Sequence, residues 1–236
     1  MSSSAFITGG HRPLPPDLET RKLTTPPRHL TPLPSQPKST YLQVANYSCY
    51  PYSRGHVHIT GPDLASPLNF VTGYLTDPEG FDMAMLVFGY KLAREIVPRT
   101  PFYRGELDAR HPKFPAGSKA GVVDLESHDP EGIADLEYTA EDDAAIAQHI
   151  RETMGTTWHS LGTNKMAPRE EMGVVDGNLN VYGVTGLKVV DLSIAPENVG
   201  ANTNNTAMVI GEKGASIIAQ ELGITFAESG RLVPGS

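Results

Sequence analysis

Apolar residues recur at helical spacing in three stretches of the chain. From Asp82 to Val97 they form one broad face, and Pro98 follows, so a helix that ends there is predicted. A second helix is predicted to begin at Thr139, whose hydroxyl can cap free backbone amides, and to end before Gly155. A third is predicted from about Thr203 to Leu222.

Strict alternation of apolar and polar residues predicts β-structure elsewhere. Residues 41–50 and 54–60 alternate on either side of a turn from Pro51 to Gly55, as two paired strands do, and residues 68–72 indicate a third short strand. Residues 187–194, LKVVDLSI, indicate a further strand that leads into the third helix. The pattern therefore predicts an α+β fold, with an antiparallel sheet flanked by helices.

Composition and charge narrow the class of protein. Residues 1–40 are rich in proline, serine and threonine and lack apolar periodicity, so we expect a disordered leader. The net charge of −8 argues against nucleic acid or an anionic membrane surface as a partner. The longest apolar-leaning stretch is too short to span a bilayer, and no secretory signal is apparent, so an intracellular protein is expected.

Two loop segments hold the candidate chemistry. His159 lies among small and polar residues in WHSLGT, which would let a substrate approach its imidazole, although a histidine hydrogen-bonded within a loop is the alternative. An asparagine-rich turn opens the third helix, whose free amides and positive dipole end could hold an electron-rich group. Simple capping by Asn202 or Thr203 is the alternative there.

Together these two segments carry a family resemblance. The strings HSLGT and VVDGNLNVYGVTGLKVVDLSIAPENVGANTNNTAMVIGEKGA resemble the C-terminal signature of glucose-methanol-choline (GMC) oxidoreductases. The resemblance extends from about Tyr41 to about Gly223, and TTWHSLGT is similar to the fungal alcohol (methanol) oxidases of that family. It implies that His159 and Asn202, 43 positions apart, line the reactive edge of an FAD cofactor as catalytic residues.

The same resemblance implies roles for three further residues and a division of the chain. Asp191 is expected near the phosphate or ribityl part of FAD, the amides of Asn202 and Thr203 against the flavin ring, and Trp158 in the alcohol pocket. A buried core aromatic is the alternative for Trp158. The expected domains are a substrate and catalytic domain at 41–185, the C-terminal return of an FAD-binding α/β domain at 186–225, and a tail at 226–236.

The implied reaction is the FAD-dependent oxidation of a short primary alcohol to an aldehyde, with O2 reduced to H2O2. Imidazole is mostly uncharged at neutral pH and can take the hydroxyl proton, while an asparagine amide can donate a hydrogen bond to the substrate oxygen. A dehydrogenase or lyase that does not use O2, and an inactive truncated protein acting as an interaction module, are the alternatives.

Some expected features are missing from the sequence. It contains no Gly-x-Gly, so the strand, glycine turn and helix that bind the ADP half of FAD are not found, and we expect a C-terminal fragment. The apolar edge of residues 187–192 would then favour homo-oligomer formation. His56 and His58 have metal-ligand spacing but lack partners, so no metal is expected. With no C-terminal Ser-Lys-Leu address, the compartment is expected to be cytoplasmic or peroxisomal.

Overall fold

The computed structural model describes residues 42–122, 133–200 and 202–224, so the predicted leader and tail lie outside the described residues. These residues divide into two compact units. The first contains residues 48–79, 157–200 and 202–224, and the second contains residues 42–47, 80–122 and 133–156. The domain boundaries expected from the sequence stay a prediction.

Two helices organise the second unit, and both confirm their predictions. Helix α1, Phe81–Ile96, gives way to a 3-10 turn that contains Pro98. Helix α2, Ala140–Thr153, begins with a capping box in which the Thr139 hydroxyl accepts from the Asp142 amide at 3.2 Å and the Asp142 carboxylate accepts from the Thr139 amide at 2.8 Å. This reciprocal cap satisfies two amides that a helix start would otherwise leave unpaired.

The first unit contains a two-stranded antiparallel sheet whose pairing differs from the prediction. Strand β1, His56–His58, pairs with β2, Asn69–Val71. No strand forms in residues 42–50, so the predicted hairpin around the Pro51 turn is wrong. The segment before β1 and the segment after β2 approach each other closely at Gly73, where a Cβ would lie 1.9 Å from the Arg54 carbonyl oxygen. Only glycine permits that approach, and it brings β1 to β2.

Helix α3, Asn204–Glu221, confirms the third predicted helix and covers the core of the first unit. Val175, Leu179 and Ile194 are buried in that core, and Ile210 and Ile217 of α3 pack against it. A Cβ at position 214, a glycine on the core-facing side of α3, would lie 2.1 Å from Cγ1 of Val190. Glycine at this position therefore lets α3 approach the preceding segment closely.

The strand predicted over residues 187–194 is also wrong. Lys188 makes a single bridge with Asn180, and Leu192–Ile194 form a 3-10 helix instead. A strand needs a partner along its length, and the described residues offer one only at Lys188. The described part of the chain is thus a partial α+β arrangement of one small sheet and three α-helices, none of them long and apolar enough to cross a membrane.

Candidate functional site

The segment that carries His159 is hydrogen-bonded to the turn that precedes α3. The Asn164 amide donates to the Ser193 carbonyl at 2.9 Å, the Asn164 side-chain amide donates to the Ser193 hydroxyl at 2.9 Å, and the Met166 amide donates to the Ile194 carbonyl at 2.8 Å. Gly162 completes the contact, since a Cβ there would lie 3.3 Å from the Ala195 carbonyl oxygen. The two loop segments singled out by the sequence are therefore joined through this turn.

The imidazole of His159 presents an unsatisfied polar atom. Its Nε2 is buried and has no hydrogen-bond partner among the described residues. Leaving a buried polar nitrogen unpaired costs about 1–3 kcal/mol, so such atoms are uncommon in folded proteins unless a function uses them. The alternative of a histidine hydrogen-bonded within a loop therefore does not account for Nε2.

At the start of α3, the structure shows the capping that was considered as an alternative. The side-chain oxygen of Asn202 accepts from the Asn204 amide at 3.1 Å, whereas Thr203, at the N-cap position, makes no side-chain capping bond and is buried. This bond occupies the oxygen of Asn202. Its side-chain Nδ2, a donor, lies on an exposed residue at the positive end of the helix dipole.

Asp191 lies at the start of the turn that precedes α3, immediately before the 3-10 helix Leu192–Ile194. One of its carboxylate oxygens accepts from the Ser193 amide at 2.7 Å, which caps the 3-10 helix that follows. The residue is exposed. One role of Asp191 is therefore structural, and its second oxygen is the one that can accept from a ligand hydroxyl.

Trp158 does not belong to the core. It is 80% exposed, so its interpretation as a buried aromatic is wrong. Its backbone adopts φ 57°, the left-handed region that is costly for residues with a Cβ. Strained backbone of this kind recurs beside functional groups, and here it immediately precedes His159.

Tyr50 is a residue near this site that sequence reasoning missed. A Cβ at Gly200 would lie 2.6 Å from the Tyr50 hydroxyl oxygen, so the phenol packs over the turn just before Asn202. The two residues are far apart in sequence, and no local pattern indicates that they meet.

Other features of the first unit lie apart from these residues. An open groove of about 600 Å³ is lined by residues 166–170, 175–177 and 182, and none of the predicted site residues lines it. The exposed rings of His56 and His58 stack on β1 with centroids 5.1 Å apart. Among residues 42–122, 133–200 and 202–224, no cluster of three or more His, Cys, Asp or Glu side chains could hold a metal.

Comparisons with known proteins agree with the motif resemblance. A family model described as GMC oxidoreductase matches residues 51–211. Alcohol oxidase 1 of Komagataella phaffii is 36% identical over 84% of this chain, and choline oxidase of Arthrobacter globiformis is 35% identical over 70% of it. The chain spans only 36% and 26% of these two relatives.

The fold is also similar to that of a solved FAD-dependent oxidoreductase. An FAD-dependent oxidoreductase from Chaetomium thermophilum superposes on 75% of the chain with a TM-score of 0.57 and 25% sequence identity. The matched part is 26% of that protein.

Proposed function

The chain belongs to the GMC oxidoreductase family, and from this premise we propose that it carries the catalytic histidine of an FAD-dependent alcohol oxidase. The reaction converts a primary alcohol of short chain and O2 into an aldehyde and H2O2. The observation that carries the proposal is the buried, unpartnered Nε2 of His159, in a segment bonded to the turn that leads to Asn202. A neutral imidazole nitrogen with a free lone pair can accept a proton from a bound hydroxyl group.

The residues of this site suit a flavin. Asn202 and Asp191 each use one side-chain oxygen for capping, which leaves the Asn202 Nδ2 as a donor and the second oxygen of Asp191 as an acceptor. Asp191 would hold the ribityl hydroxyls, and the amides of Asn202 and Thr203 would meet the ring. The positive end of the 18-residue α3 helix favours negative charge at the same place.

The proton and the substrate oxygen are handled by two side chains. FAD, when bound, supplies the acceptor for a hydride from the alcohol carbon. Nε2 of His159 takes the hydroxyl proton, and Nδ2 of Asn202 donates a hydrogen bond to the same oxygen as its negative charge grows. Fixing the oxygen between these two nitrogens also orients the carbon that carries the hydride.

Trp158 is proposed to set the size of the alcohol. Trp158 precedes His159 in the chain, is 80% exposed, and has a left-handed backbone conformation. A large flat side chain next to the proton acceptor leaves room for a small alcohol and hinders a bulky one. Replacing Trp158 by Ala should therefore raise the relative rate on larger alcohols.

The test replaces the matched segment of the Komagataella phaffii alcohol oxidase with the complete chain and measures peroxide formation from methanol, ethanol and benzyl alcohol. His159→Ala should lower kcat/KM by about 10²–10⁴-fold, the usual contribution of a general base, while the absorbance of bound flavin stays unchanged. His58→Ala is the matched control, because His58 is exposed on β1, and it should leave the rate unchanged.

Three results would contradict the proposal. Peroxide formation that survives in His159→Ala would remove His159 as the base. Alcohol oxidation that proceeds with a dye acceptor but yields no peroxide would make the protein a dehydrogenase. A chimera that binds FAD but turns over no alcohol with any acceptor would support the alternative of an inactive interaction module.

A further inference from the structure

A side-chain hydrogen bond joins the loop that carries His159 to the turn that precedes α3. The Asn164 side-chain amide donates to the Ser193 hydroxyl at 2.9 Å, and both residues are half-buried although they lie 29 positions apart. The Asn164 backbone amide donates to the carbonyl of the same serine, also at 2.9 Å. The side-chain bond thus gives the loop a second attachment at one residue, and a second attachment restricts rotation about the first.

Asn164 is the nearest attachment point that follows His159 in the chain. Among residues 42–122, 133–200 and 202–224, no backbone–backbone hydrogen bond involves residues 159–163. The next backbone bond to the turn, from Met166 to Ile194, lies two residues further from His159. The orientation of the chain at Asn164 is therefore transmitted directly to the imidazole.

The turn on the other side of this bond is attached to α3. The Asp191 carboxylate accepts from the Ser193 amide at 2.7 Å, which holds the serine in the 3-10 helix. Val190, just before the turn, packs against α3 at Gly214, where a Cβ would lie 2.1 Å from Cγ1 of Val190. Ser193 is therefore held relative to the start of α3, which Asn202 precedes by two residues.

We infer that Asn164 and Ser193 are positioning residues for the proposed oxidation, because their side-chain bond sets the place of His159 relative to Asn202. The pair acts through the loop and the turn, and it has no assigned contact with the alcohol. The proton acceptor and the hydrogen-bond donor must meet at one substrate oxygen, and a misplacement of about 1 Å can lower a rate by about 100-fold. The inference rests on the proposed function of His159 and names the pair on which its rate depends.

The test is a double-variant cycle in the chimera that contains the complete chain. Asn164→Ala and Ser193→Ala should each lower kcat for methanol about tenfold, a moderate loss because the backbone bonds remain. KM and the absorbance of bound flavin should not change, since the bond affects the position of the base and not the binding of substrate. The double variant should be no slower than the single variants, because one bond can be lost only once. Ser193→Thr keeps the hydroxyl and should restore most of the rate.

Hydrogen exchange, followed by mass spectrometry, provides a readout that does not require turnover. The peptide to follow contains residues 157–167, which include His159 and Asn164. Loss of one side-chain hydrogen bond shifts a local opening equilibrium by about two- to tenfold. Exchange in this peptide should rise by that factor in Asn164→Ala and in Ser193→Ala, and it should return toward the wild-type rate in Ser193→Thr.

Asn180→Ala is the matched control for a purely structural effect. Asn180 is also a half-buried asparagine of the first unit, and its side chain donates to Asp176 at 3.2 Å and accepts from Lys188 at 2.7 Å. Neither partner belongs to the loop of His159 or to the turn at Ser193. Asn180→Ala should therefore lower the urea midpoint while kcat and exchange in residues 157–167 keep their wild-type values.

Three kinetic results would overturn the inference: a wild-type kcat in both Asn164→Ala and Ser193→Ala, losses that multiply in the double variant, or an equal loss in Asn180→Ala. The proposed function fails separately, if the wild-type chimera forms no peroxide or if His159→Ala keeps the rate. The exchange comparison then still decides the inference. Faster exchange in both variants supports the positioning of the loop by this pair, and unchanged exchange overturns it.

Discussion

Removing the guanidinium of Arg94 should destabilise the second unit more than any surface change. Its Nε and Nη2 donate to the two carboxylate oxygens of Glu106 at 2.6 Å each, and two further bonds reach the carbonyls of Ala120 and Gly121 at 2.6 and 3.0 Å. Burial alone would lower the pKa of Arg94, but its hydrogen bonds and charge interaction with Glu106 outweigh burial and raise it. The pair is only 4% and 7% exposed, so water cannot replace a lost partner.

Arg94→Met is expected to lower the free energy of unfolding by about 3–5 kcal/mol, because it removes the guanidinium that neutralises the buried Glu106 carboxylate. The double variant Arg94→Met/Glu106→Leu removes both charges and should be more stable than Arg94→Met. Lys119→Met is the control: its pair with Glu137 is more than 70% exposed on both sides, so its loss should leave stability nearly unchanged.

Urea denaturation is followed by circular dichroism at 222 nm, which reports on α1 and α2 together with α3 of the first unit. Each transition is therefore fitted separately, because the chain has two units. An Arg94→Met variant that loses less than about 1 kcal/mol, or a double variant less stable than Arg94→Met, would refute the reasoning from burial.

Gly73→Ala should cost at least about 2 kcal/mol, since the new Cβ would meet the Arg54 carbonyl, whereas Gly183→Ala, also at positive φ but in open space, should cost about 1 kcal/mol. Denaturation followed by the fluorescence of the single tryptophan measures both losses of stability. Equal losses for the two variants would contradict the prediction. Burial lowers the pKa of His111, so the unfolded chain gains a proton before the folded chain does, and stability should fall as the pH drops from 7 through about 6. His111→Gln should reduce that dependence in urea titrations at several pH values without removing it, because burial also lowers the pKa of His149; an unchanged slope would exclude His111 as a source. Thr139→Ala should cost about 1 kcal/mol and Thr139→Ser much less, as measured by thermal denaturation, and equal losses would exclude the cap as the cause.

The helices were predictable because their signals are local. The repeat of apolar residues, Pro98 after α1 and Thr139 before α2 all act within a few residues of the helix they delimit, and the structure places each end within about two residues of the prediction. The site motif was equally accessible, since His159 and Asn202 stand in recognisable strings.

The strands were less predictable because alternation shows that a segment can pair but not with which partner. Residues 54–60 alternate as expected, yet β1 pairs with β2, and the two backbones meet at Gly55 before β1 and Gly73 after β2. Residues 187–194 have strand-forming composition, but the described residues supply a single bridge, so the 3-10 helix capped by Asp191 forms instead.

The sequence by itself determined the three helices, the family of the chain and the two side chains proposed for proton transfer and substrate binding. Only the tertiary structure decided which polar atoms are buried without partners and which apolar faces are left exposed. Both depend on contacts between residues distant in the chain, as with Nε2 of His159 and the indole of Trp158. Local propensity does not encode such contacts, because burial is a property of everything that packs around a residue.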